Sequence, residues 1–285
     1  MSKISKALKA IGLIFRNPAL LNRVLADPGY WKDYVVHKYN MVDGFPVLSM
    51  DQLTADTVFN IDPVTFLDGG SLPTDIALLR SLASWFKEFT YFEIGTWRGE
   101  SAANMAYVAK ECYTLNLSDQ EMKERDIPGE TIQAHRFFSS GRENITHLYG
   151  DSRHFDFQGL ARKFDLIFID GDHHHDFVKH DTEQAVRHLS HDKSIIVWHD
   201  YAYNPEELRH EVMAAILDGL PEQMHTHLYH IAHTKCAVYI GQAWNRHFIT
   251  EIFKSPVTPE IYFSLEMKIK RISNNKKYYQ DEGTR

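Results

Sequence analysis

Two short apolar runs, at residues 164–169 and 194–198, each break off into acidic and histidine residues. The first is interrupted only by Asp165 and ends at Asp170-Gly171-Asp172-His173-His174-His175-Asp176. The second ends at Trp198-His199-Asp200-Tyr201. Segments this short, apolar at consecutive rather than alternate positions, read as strands covered on both faces. Covering both faces takes a helical layer on each side, so the runs predict a doubly wound, mainly parallel α/β sheet.

The surrounding pattern agrees. Pro73-Thr74-Asp75 opens a helix carrying Ile76, Leu78, Leu79, Leu82 and Phe86. A strand at 91–94 leads through a glycine turn into a helix at 101–110, and further strands are expected at 112–117 and 146–149. Residues 119–144 read as a loop with one short helix. A helix places Val178, Ala185, Val186 and Leu189 on one face, and Asn204-Pro205 is expected to start another that reaches Asp218. Segments 225–231 and 236–240 suggest a closing hairpin. Alternation at Ile261, Phe263, Leu265, Met267 and Ile269 suggests a late amphipathic strand. The regular pattern spans 71–241. Residues 1–70, broken by Pro18, Pro28, Pro46 and Pro63, form a helical or irregular N-terminal extension, and 242–285 a C-terminal one.

Composition excludes some roles. The net charge of −7 argues against a broad nucleic-acid surface, which needs clustered Lys and Arg. Two cysteines, Cys112 and Cys236, sit in strand-like runs and read as buried thiols rather than a disulfide framework. No apolar run is long enough to span a bilayer, and the basic opening is followed by Arg16-Asn17-Pro18 rather than a cleavage site, so a cytoplasmic location is expected. That amphipathic opening could touch a membrane, but a docking helix on the protein or on a partner subunit is the favoured reading, which makes homo-oligomerisation through the extension an expectation.

Open α/β sheets bind ligands at the carboxyl ends of their strands, near the point where strand order reverses. Glu93-Ile94-Gly95-Thr96-Trp97-Arg98-Gly99 occupies such a position, and Ser101 follows it. Glycine allows the sharp turn and close backbone approach, the helix N-terminus offers N–H groups to an anion, and Ser101 could add a hydroxyl. The Gly-x-x-x-Gly spacing departs from the dinucleotide fingerprint. Asn116 ends the next strand, where ribose hydroxyls would be held, with Asp119 as a substitute. Asp151-Ser152 ends the third, where a carboxylate could accept from an adenine amino group or simply cap a turn.

A right-handed crossover sets the 164–169 and 194–198 strands side by side, so Asp170 should meet His199 and Asp200 at one rim. Two carboxylates and an imidazole could hold a divalent cation, with the nitrogen ligand better suited to Mn²⁺, Fe²⁺ or Zn²⁺ than to Mg²⁺. A bound cation would acidify an acceptor hydroxyl, and a nearby histidine could take its proton. The competing readings are that Asp170 contacts a cofactor and Asp200 caps a turn. With 17 histidines in the chain, no single one carries much weight.

Over residues 71–241 the chain resembles the class I S-adenosylmethionine-dependent methyltransferases, and within them the subgroup of macrolide-sugar and cephalosporin-cluster O-methyltransferases. The motifs that carry the likeness are residues 92–101, 150–152, 164–173 and 195–201. The resemblance implies a seven-stranded Rossmann-like sheet, with S-adenosylmethionine lined by Glu93, Gly95, Thr96, Gly99 and Ser101 at the methionine end, Asn116 at the ribose and Asp151-Ser152 at the adenine. It also implies a divalent cation, Mg²⁺ or Mn²⁺, on Asp170 and Asp200, with His173 as the base. The chain departs from the pattern at Asn116, where an acidic residue is usual, and at His199, where the metal-dependent relatives carry Glu. The implied reaction is O-methylation of a small molecule or glycan. Tyr30, Trp31, Trp198, Tyr201 and Tyr203 are candidates for an aromatic acceptor wall, or for core packing. A nicotinamide-dependent oxidoreductase and a non-catalytic cofactor-binding subunit are the alternatives.

Overall fold

Strand alternation explains how the sheet is covered. In the computed structural model, which describes residues 2–18, 20, 28–55 and 58–272, neighbouring residues of the central strands enter opposite apolar layers. Ile167, Ile169, Ile196 and Trp198 join one layer, while Leu166, Phe168, Ile195 and Val197 join the other. Every one of these side chains is buried, as strands covered on both faces require.

The elements follow in order. Helix α1 is Lys3–Arg16, α2 is Pro28–Tyr39 and β1 is Val47–Leu48. Then come α3 (Pro73–Ala83), β2 (Thr90–Ile94), α4 (Glu100–Met105), β3 (Glu111–Asn116), α5 (Asp119–Glu124), α6 (Gly129–Ala134) and β4 (Ile145–Tyr149). The second half holds β5 (Leu166–Ile169), α7 (His175–Gln184), β6 (Ile195–Trp198), β7 (Ala202–Asn204), β8 (Glu207–Leu208), α8 (His210–Gly219), β9 (Leu228–Ile231), β10 (Ala237–Ile240) and β11 (Thr250–Glu251). No described helix is long and apolar enough to cross a membrane.

The main sheet runs β11-β1-β9-β10-β6-β5-β2-β3-β4. The strands from β9 to β4 form a mostly parallel, doubly wound layer, with β10 antiparallel to both β6 and β9. Two flanking strands of two residues each, β1 and β11, extend it to nine. Register aligns the strand ends: Ile94 pairs with Leu115 and with Ile169, Ile169 with Trp198, and Asn116 with Tyr149. The residues that follow, Gly95, Gly150, Asp170 and His199, therefore share one rim. Strand order reverses between β2 and β5, which sets the Gly95 and Asp170 turns against each other at the switch point.

Some expectations are corrected. Asn204-Pro205 does not start a helix. It lies in the turn of a small β7–β8 hairpin, and α8 starts only at His210. Residues 119–144 hold two short helices. Residues 256–285 form a separate unit, and its described part, 256–272, has no strand. Alternation there had no partner strand to pair with, and Tyr262 and Ile269 are fully exposed or nearly so. Of the proposed aromatic wall, Trp198 and Tyr201 are core residues. Trp198 donates to Thr182 Oγ1, and Tyr201 stacks on Phe45 and accepts its backbone N–H.

One carboxylate ties α2 to α7 and α8. Asp218, at the end of α8, accepts from Tyr34, Tyr39 and Lys38 of α2 and pairs at 2.9 Å with His175 Nε2 at the start of α7. The His175 ring stacks on Trp31 at 4.5 Å. Burial would raise the Asp218 carboxyl, but these donors hold it well below the usual range. Asp218→Ala strands several donors at once and should cost about 2–3 kcal/mol. The expected readout is a melting temperature lower by about 5 °C or more, and an unchanged value would contradict this role for Asp218.

Candidate active site

The glycine turn after β2 is shaped by how closely two backbones pass. Gly95 has φ +90°, and a Cβ there would lie 2.1 Å from the Asp170 carbonyl oxygen. The turn is pinned by Gly95 N–H to Leu115 O at 2.9 Å and by Asp170 N–H to Ile94 O at 2.8 Å. Gly99, with φ +76°, precedes α4. Behind it, Arg136 N–H donates to Trp97 O and Phe138 N–H to Arg98 O, so the 136–138 segment braces the turn.

This turn forms the wall of a cavity of about 310 Å³, a size suited to a small ligand or cofactor. Of the residues expected from sequence, Gly95, Thr96, Asn116, Asp151, Ser152 and Asp170 line it. Glu93, Gly99 and Ser101 are not part of its lining. Sequence reasoning missed Trp97, His135, Arg125 and Phe177, which also line it. Asn116 contacts His135 Nδ1 at 3.0 Å, and Trp97 meets the His135 ring edge-on at 4.8 Å. Asp119 is turned to Arg136 instead. Asp151 accepts from Arg125 at 2.7 Å and Arg153 at 3.0 Å, which outweigh burial and hold its carboxyl well below the usual range. Its charge is thus already matched by two guanidinium groups.

Beyond Asp170 lies the expected carboxylate and histidine cluster. Asp170, His199 and Asp200 each offer an atom within 4.8 Å of the others. His199 Nδ1 lies 2.8 Å from Asp170 Oδ1 and 3.5 Å from Asp200 Oδ1, yet makes no hydrogen bond to either. Its Nε2 meets Asp75 Oδ2 at 3.0 Å. Asp75 is a residue the sequence reading took only for a helix start. It does serve there, accepting the Leu72 N–H, and it also accepts the Lys235 N–H. Lys235 was missed as well. Its Nζ lies 2.6 Å from Asp200 Oδ1, and this contact raises its pKa against the effect of burial. Burial pushes the Asp170 carboxyl up against the pull of His199, whereas His199 and Lys235 hold Asp200 well below its usual range. Burial alone would lower His199, but Asp170, Asp200 and Asp75 hold it well above an ordinary imidazole.

The three consecutive histidines separate. His173 is half exposed, 3.8 Å from Asp200 Oδ2, with its pKa lowered by burial and by Arg209. His174 turns to Asp172, and His175 belongs to the Asp218 contact.

Buried polar atoms nearly always have partners, and exceptions call for an explanation. Here Glu93 Oε1, Thr96 Oγ1, Trp97 Nε1 and Glu100 Oε1 are buried without a hydrogen bond among the described residues, and His199 Nδ1 is met by the Asp170 carboxylate in an ion pair at 2.8 Å. They belong to the glycine turn, the strand and helix beside it, and the rim cluster, a grouping suited to receiving a polar ligand.

Residues 92–201 match a family model described as a methyltransferase domain. The match runs from within β2 to just past β6, so it contains the glycine turn, Asp151, Asp170, His199 and Asp200. No curated protein matches the chain. Similar solved structures include an O-methyltransferase from Bacillus cereus in complex with S-adenosylhomocysteine, at 18% identity and TM-score 0.43, covering 61% of this chain and 84% of that one. Another is TomG of Streptomyces achromogenes, an O-methyltransferase involved in tomaymycin synthesis, at 15% identity and TM-score 0.43, covering 61% and 82%. A third is CalS11, a TDP-rhamnose 3′-O-methyltransferase of calicheamicin biosynthesis, at 16% identity and TM-score 0.41, covering 59% and 79%.

Buried Glu93 gives a pH prediction. Burial, helped by Asp170 and opposed by the 2.6 Å bond from Tyr91, raises its carboxyl to about 8. A carboxyl that titrates higher in the folded chain than in the unfolded one favours folding fully only below the unfolded pKa. Stability is therefore lost as pH rises from about 4.5 through about 8. Glu93→Gln cannot ionise, so the melting temperature of this variant should fall less over that range than that of the native chain. Identical pH profiles would contradict a neutral buried Glu93.

Proposed function

We propose that this chain transfers the methyl group of S-adenosylmethionine to a hydroxyl of a small molecule or glycan. One observation carries the reading: Asp170 both lines the cavity and belongs to the cluster with His199 and Asp200. A donor in the cavity and an acceptor on the cluster would meet at that residue. In this reading Gly95 and Thr96, which line the cavity, hold the methionine end. Asn116 and His135 face the ribose. Asp151, matched by its arginines, orders the adenine end together with Ser152, rather than acting as a free acceptor.

The acceptor oxygen attacks the methyl carbon, the carbon–sulfur bond breaks, and its electron pair neutralises the sulfonium. The acceptor proton leaves to His173, which the lowered pKa keeps neutral and able to receive it. Positioning does much of the rest.

Asp170, His199 and Asp200 also fit a divalent cation. Nδ1 of His199 lies close to two carboxylates, while Asp75 on Nε2 fixes the ring as the outer carboxylate of a metal-bound histidine does. When bound, such a cation would lower the pKa of the acceptor hydroxyl. The nitrogen donor favours Mn²⁺ over Mg²⁺. It would displace the proton of His199 and draw Lys235 away from Asp200. We assign the catalytic domain to residues 71–241, with 1–70 and 242–285 as extensions, since the flanking segments add only β1 and β11 to the sheet.

The test is methyl transfer to a panel of hydroxylated metabolites and glycans, with Mn²⁺ added or chelated. His173→Ala should lower kcat about 10²- to 10⁴-fold and leave S-adenosylhomocysteine affinity unchanged. Full turnover by this variant would contradict the base assignment, and turnover indifferent to chelation would contradict the cation.

A further inference from the structure

Helix α1 is amphipathic and largely exposed. Its fourteen residues, Lys3–Arg16, include none that is buried. Ile4, Leu8, Ile11 and Phe15 recur at the spacing that stacks side chains along one helix face. They are 73%, 65%, 50% and 84% exposed. Lys6, Lys9 and Arg16 lie on the other side, with Lys3 at the margin. The helix therefore carries four cations and no carboxylate, in a chain whose net charge is −7.

An isolated helix of this length gains little in water, and tertiary contact on an apolar face is what normally sustains one. At its start the Ser2 hydroxyl accepts the Ser5 N–H at 3.2 Å. The favoured expectation of a helix packed on its own protein is not met by the described residues.

We propose that α1 docks this chain on an anionic lipid surface. The charge pattern selects that occupant. A phospholipid interface takes an apolar face of Ile, Leu and Phe into the acyl boundary, while lysines on the opposite side stay at the level of the headgroups. Anionic headgroups attract such a cluster of cations electrostatically. A second copy of this chain would also cover the apolar face but would leave the four cations of each helix unmatched, whereas anionic headgroups match both faces at once. The consequence is that the catalytic domain works next to a membrane, where its acceptor could be lipid-borne.

The test is cosedimentation of the full chain with phosphatidylcholine vesicles, either pure or containing about a quarter phosphatidylserine. The chain should partition at least tenfold better onto the anionic vesicles, and lose that preference when salt rises from about 0.1 M to about 0.5 M. The double variants Leu8→Asp with Phe15→Asp, and Lys6→Glu with Lys9→Glu, should each abolish binding. Because α1 is exposed, they should move the melting temperature by no more than about 2 °C, which separates docking from misfolding. Equal binding to neutral vesicles, or none to anionic ones, would overturn the proposal. So would concentration-dependent dimerisation that the Leu8/Phe15 variant removes while vesicles bind nothing.

Discussion

At the switch point of the sheet, two backbones pass with no room for a methyl group between them. A Cβ on residue 95 would come within 2.1 Å of the Asp170 carbonyl, and the chain meets this with a glycine at φ +90°. That approach joins two halves of the site. On one side the turn opens a cavity edged by strand ends, and on the other it fixes where Asp170 leaves its strand. Since β5 and β6 are in register, the position of Asp170 also sets its distance to His199 and Asp200. The β2–β5 contact is thus the mechanical origin of both the cavity and the polar cluster.

Electrostatics within the cluster follow from its placement. Three carboxylates, Asp75, Asp170 and Asp200, surround one buried imidazole, and Lys235 adds a second positive charge. Burial penalises each charge separately, so they persist only as a group. Within that group Asp170 is the carboxylate pushed upward and Asp200 the one pulled down. This asymmetry leaves the residue beside the cavity more readily protonated than the residue beside Lys235. A cation entering between them would meet a ring nitrogen and two oxygens already close together.

Much of this was legible in the sequence because strand-end residues inherit their position from the sheet. Once residues 164–169 and 194–198 are read as neighbouring parallel strands, Asp170, His199 and Asp200 have to meet. What was not legible came from outside the repeating pattern. Asp75 has the sequence signature of a helix start, and it fills that role, so nothing marks its second bond to His199. Lys235 follows from the antiparallel return of β9 and β10, whose register no local motif announces. His135 and Arg125 come from a polar stretch without period. Conversely, the alternation at 261–269 had the right spacing for a strand but lacked a partner edge. Asn204-Pro205 had a helix-start signature, but there the chain forms a hairpin. Local pattern sets what a segment can do, and tertiary pairing decides whether it does so.

The account turns on whether the cavity and its unpartnered polar atoms receive a sulfonium nucleoside or its demethylated product. Isothermal titration of the chain with S-adenosylhomocysteine, alongside NAD, measures this directly. The predicted result is one equivalent of S-adenosylhomocysteine bound with a dissociation constant in the micromolar range, about −8 kcal/mol, and no heat from NAD. No detectable binding of S-adenosylhomocysteine, or a clear preference for NAD, would contradict it.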